Sequence, residues 1–139
     1  MNKLLLLLAP TFILLGSISS NAAQADGWTY ITSSLDNTQY YVSTESIKKR
    51  YGMEVYSVEG SGVGSSTQHV EAWWKAVNAD SSYTQVKTKF FCSLDISKNT
   101  SQVRYSAADT YIDSPSVGHY AVSTIPNTSF SKVFNFVCS

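Results

Sequence analysis

The sequence has no surplus of either charge. Ten Lys and Arg stand against ten Asp and Glu, a balance that gives no overall attraction to nucleic acid or to an anionic surface. Histidine is scarce as well. His69 and His119 are the only two, and neither has a second ligand nearby at metal spacing, which argues against a zinc site. No G-x-S-x-G elbow is present to raise a nucleophile. The glycines at 60, 62 and 64 miss the G-x-G-x-x-G spacing of a dinucleotide loop. Asp109 and Asp113 flank a turn region close to Pro115, where carboxylates serve turn hydrogen bonds more readily than acid–base chemistry. These absences predict a chain with no catalytic residue, no metal ligand and no cofactor.

Long apolar runs are few. The single one, from Leu4 to Leu15, is broken by Pro10 and falls short of the roughly 20 residues a membrane span requires. Lys3 precedes it, and a small, polar stretch ending in Ala23-Gln24-Ala25 follows it. That three-part layout predicts a secretory signal peptide over residues 1–25, leaving one domain over 26–139 in the periplasm or outside the cell. Loss of Lys3 leaves nine basic groups against ten acidic, a formal charge of −1. The short basic run Lys48-Lys49-Arg50 reads as a solvated turn. The first of only two cysteines is Cys92, so the leader carries no lipobox cysteine. Two cysteines in an exported chain predict one structural disulfide, Cys92 to Cys138.

What is abundant is Ser, Thr and Tyr arranged with period two. In "VKTKFFCSL" (86–94), Val86, Thr88, Phe90, Cys92 and Leu94 share one face, while Lys87, Lys89, Phe91 and Ser93 share the other. Similar alternation occupies 27–32, 38–43, 53–58, 69–77, 101–108 and 118–123, separated by turn-forming segments such as "SLDN", "NADSS" and "DSPSVG". Short connections predict hairpins and an antiparallel sheet. Residues 43–51 read as a helical turn capped by Ser43 or Thr44, and "GSGVGSS" (60–66) as a hairpin loop. The last segment changes period: Phe130, Val133, Phe134, Val137 and Cys138 form one stripe of an α-helix. Pro126 ends the preceding strand, and Asn127 or Thr128 can cap the helix. The prediction is an α+β fold, an antiparallel sheet of about six strands with a C-terminal helix fastened to one face by the disulfide.

Adjacent aromatic pairs, Tyr40-Tyr41, Trp73-Trp74 and Phe90-Phe91, put one ring on each face of a sheet. The rings opposite the helix need some other cover, from a partner, a second copy or loops. Trp73, Trp74 and Phe91 are therefore the candidate contact residues.

Taken in order, "GWTYI", "YYVSTESI", "WWK" (73–75), "FFCS" (90–93) and "IPNTSFSKVFNFVC" (125–138) resemble the surface-adhesin protein E family, small exported proteins of Gram-negative bacteria. The resemblance covers nearly all of 26–139. It implies a helix tied to the concave side of the sheet through Cys92 and Cys138, a homodimer, and adhesion to host extracellular-matrix or plasma proteins. The competing expectation is a periplasmic enzyme inhibitor or envelope-maintenance factor that presents "GSGVGSS" as an inserting loop.

Overall fold

The computed structural model describes residues 27–139; the expected signal peptide lies outside them. The described chain is α+β, an eight-stranded sheet with one C-terminal helix. The strands are β1 (Trp28–Ser33), β2 (Gln39–Ser43), β3 (Lys48–Val58), β4 (Gly62–Val77), β5 (Tyr83–Phe91), β6 (Ile96–Tyr105), β7 (Tyr111–Asp113) and β8 (Val122–Ser123), followed by α1 (Ser129–Cys138). The sheet runs β1-β2-β4-β5-β6-β7, with β3 also on β4 and β8 also on β6. All named strand pairs are antiparallel. β4 is long enough for its C-terminal half to pair with β2 while its N-terminal half pairs with β3.

Three hairpin turns share one construction. In each, a backbone N–H donates to the carbonyl four residues on: Ser34 to Thr38, Asn78 to Ser82, Ser106 to Thr110. The fourth residue, Asn37, Ser81 or Asp109, takes a left-handed φ near +60° to +70°. That is a tight turn followed by an αL residue, suited to short polar side chains.

The helix and sheet enclose one core. Val42, Val70, Ala72 and Phe90 meet Val133, Phe134 and Val137, with Trp74, Phe130 and the two cysteines packed around them. Thr128 caps α1, its Oγ1 accepting from the Ser131 N–H at 3.1 Å. Asn127 instead takes a left-handed φ of 62° just before it. The disulfide between Cys92 and Cys138 is formed, with Cα atoms 5.6 Å apart. Buried on the far side of the sheet is a second cluster, Phe91, Ile96 and Ala121 under Tyr56 and Val58.

Several local expectations need correction. Only Thr44–Ser46 form a 3₁₀ turn; Lys48 to Tyr51 are strand, paired with Glu71 to Gln68 of β4. Ser46 closes that turn, donating to the Ser43 carbonyl and accepting from the Trp73 backbone N–H at 2.8 Å. Long-range pairing thus overrides the helix-friendly composition. The "GSGVGSS" segment is mostly strand, since β4 begins at Gly62. There Gly64 is required by a close approach, as a Cβ would lie 2.6 Å from the Tyr56 ring that packs over it. Cys92 is not in a strand; it opens a 3₁₀ turn, Cys92–Leu94, that ends with Asp95 in the left-handed region. Of 118–123, only Val122–Ser123 pair as strand, with Ser97 and Ile96 on the β6 edge that does not face β5, while Ala121 makes an isolated bridge to Val58.

Candidate functional site: the far face of the sheet

The face opposite the helix is closed at both ends and open between them. At one end Lys75 lies nearly buried, its Nζ 4.5 Å from the Trp28 ring centre, 5.2 Å from Tyr83 and 5.7 Å from Tyr41. Such a cage attracts the ammonium through the negative faces of the rings. At the other end, Phe91 is fully buried, 5.0 Å from the Tyr56 ring and 5.7 Å from His69.

Charged side chains line the middle. Strand register aligns Lys48, Glu71, Lys89 and Lys98 in a row across β3, β4, β5 and β6. With strands about 4.8 Å apart, that row is roughly 14 Å long. Arg50 pairs across from His69, and Trp73 across from Lys87. Glu71 gathers Arg50 Nε and His69 Nε2, both at 3.4 Å, and Lys87 Nζ at 3.6 Å. Burial pushes the Glu71 carboxyl up, but the His69 hydrogen bond and the charges of Lys87 and Arg50 outweigh it and hold it below the ordinary carboxylate range. Lys89 hydrogen-bonds Glu54. His69 Nδ1 is buried and has no partner among the described residues. Beside it, a cavity of about 200 Å³ opens between Arg50, Gln68, His69 and the disulfide.

The Lys89 hydrogen bond is the main cause that keeps the Glu54 carboxyl low, helped by the charges of Lys89, His69 and Lys98 against a smaller cost of burial. A depressed carboxylate adds stability above its ordinary value and loses it as pH falls through the folded one. The stability difference between wild type and Glu54→Gln should therefore be constant above pH 4.5 and shrink below it. Urea midpoints across pH 2.5 to 7 would test this, and a difference unchanged at low pH would contradict it.

The sequence candidates separate on this geometry. Trp73 is half-buried on the far face, between the two closed ends. Trp74 belongs to the helix side, its ring tilted against Phe130 at 5.4 Å, with Nε1 donating to Thr88 Oγ1 at 2.8 Å. Phe91 has no surface to offer a partner, because the β3–β4 hairpin and residue Ala121 of this same chain cover it. Phe91 is thus a packing residue rather than a contact residue, and Trp74 packs on the helix side, away from Trp73. Compared with family models, curated proteins and solved structures, the chain matches none. Among the described residues, no three His, Cys, Asp or Glu side chains are grouped as metal ligands would be, and no helix is long and apolar enough to cross a membrane.

The charged row was missed by sequence reading. Lys87 and Lys89 are visible as alternating lysines on one strand face. Lys48 and Lys98 join them solely through register, which no local pattern encodes.

Proposed function

We propose that this chain is an exported, non-catalytic binding protein that meets its partner through the far face of the sheet, with Trp73 at the centre of the contact. The observation that carries this reading is the position of Trp73: a half-buried aromatic residue on a central strand, between two ends that the chain itself has sealed. Aromatic rings held on rigid elements dominate binding surfaces because they bury much area with little loss of freedom. The leader over 1–25 and the disulfide support export to an oxidising compartment. The resemblance to the surface-adhesin protein E family supplies the class of partner, a host extracellular-matrix or plasma protein.

Surface plasmon resonance against immobilised matrix and plasma proteins tests the reading. Wild type should bind at least one of them, and Trp73→Ala should weaken that binding roughly 30-fold, as for a hot-spot residue. Equal binding by a Trp73→Ala protein with an unchanged melting curve would remove Trp73 from the contact. Fractionation of native cells that finds only periplasmic protein would remove adhesion itself.

A further inference from the structure

We infer that the charged row beside Trp73 is a binding site for an anionic polysaccharide. The inference rests on the reading of this face as a binding surface and names the chemistry of what it holds, whether a free chain or one carried by a matrix protein.

The overall charge balance conceals a segregation. Five cations, Lys48, Arg50, Lys87, Lys89 and Lys98, share the middle of the far face with two carboxylates, Glu54 and Glu71, a local surplus of three positive charges. The described chain carries nine basic and nine acidic side chains, so everything outside this patch is net negative by three. A field so divided orients an approaching anion toward one face. The two carboxylates do not cancel the patch. Glu71 ties Arg50 and Lys87 in place, and Glu54 ties Lys89, so the ammonium and guanidinium groups are partly ordered before a ligand arrives.

The donor inventory then narrows the class. Lys and Arg donate and never accept, so the middle of this face is almost wholly a field of donors. Its backbone is already spent, since β4 and β5 are hydrogen-bonded on both edges along this stretch. An extended acidic peptide laid here would find donors for its carboxylates but no free strand edge on which to pair its backbone, the usual source of affinity for an extended peptide. A single-stranded nucleic acid gains affinity by stacking successive bases on several rings, and this stretch offers one. A sulfated or carboxylated polysaccharide fits both features. Its anionic groups accept from the lysines at intervals across the strands, and the C–H face of one sugar ring lies on the negative face of Trp73.

The test uses the mature protein, a heparin octasaccharide, the same octasaccharide with its sulfates removed, and a poly-glutamate peptide, measured by isothermal titration calorimetry. Wild type should bind the sulfated chain, with affinity falling steeply between 50 and 300 mM salt, roughly as expected for several displaced counterions. The Lys48→Gln/Lys98→Gln variant should lose about tenfold or more in affinity at an unchanged melting temperature, and Lys48→Arg/Lys98→Arg should retain it. The desulfated chain, which keeps only its uronate carboxylates, should bind several-fold more weakly. Full affinity in the glutamine variant, or no binding by wild type, would overturn the inference. Tighter binding of poly-glutamate would overturn it in favour of an acidic peptide. If a matrix protein binds and the octasaccharide does not compete, this inference fails while the binding-protein reading stands. If the octasaccharide binds and no matrix or plasma protein does, this inference stands and only the protein class of partner is lost.

Discussion

Reducing the Cys92–Cys138 bridge, or replacing Cys138 with serine, is expected to lower the melting temperature by about 15 °C. The cysteines are 46 positions apart, so the bridge removes a long loop's worth of freedom from the unfolded chain, about 4 kcal/mol on the chain-entropy account. Its position adds a second effect. Cys138 is the last residue of α1, one residue after the buried Val137 and four after Phe134. Without the bridge, the final turn has only packing to resist fraying, and a helix of 10 residues has little cohesion of its own. Calorimetry with and without reductant, paired with amide exchange of residues 133–138, separates the two effects. Coincident melting curves would show that the bridge contributes nothing, and a lowered curve with α1 amides still protected would confine its effect to the unfolded chain.

Phe90→Ala should cost about 3–5 kcal/mol, the largest single loss expected from any side chain here. Phe90 is fully buried, its ring 5.6 Å from Phe134 and 6.1 Å from Phe130. It stands where β5 meets the helix, and the cavity left by alanine is walled by a sheet on one side and a tethered helix on the other. Neither wall can move in to fill it. Phe90→Leu keeps most of the volume and should lose no more than half as much. Urea denaturation at constant slope reads the difference directly. A loss under about 1 kcal/mol for the alanine variant would mean that α1 does not press on β5 as described.

These two effects were foreseeable because the features behind them are written locally. The alternation in "VKTKFFCSL" separates Phe90 from Phe91 without knowledge of any neighbour, and the spacing of Phe130, Val133, Phe134 and Val137 declares a helix. Cys92 and Cys138 had no other partners available. The features missed depend on distant pairing. Lys48 to Tyr51 resemble a helical turn until β4 is alongside, and β4 can be alongside only because it outgrows β2 by enough residues to hold both. The burial of Phe91 depends on the β3–β4 hairpin reaching it, through Tyr56 packed over Gly64. Lys75 in the sequence is only part of "WWK", with no sign that three rings from β1, β2 and β5 surround its ammonium. Periodicity tells which side of a strand a residue takes; it does not tell which strand lies next to it.

The outer margin of β3 has one further consequence. Among the described residues, β3 pairs along 48–56 only with β4, and Val58 beyond that stretch bridges Ala121; Tyr51, Met53 and Val55 are exposed along it. Such a margin invites other chains to stack on, as fibrils grow. Two features of β3 itself oppose that growth: the register breaks between Tyr51 and Glu54, with Gly52 at a φ of 121°, and three consecutive cations occupy its first residues. An incoming strand would meet a kink halfway along and mutual repulsion at the start, so the same lysine-rich stretch that reads as an unremarkable turn in the sequence helps keep the protein from polymerising.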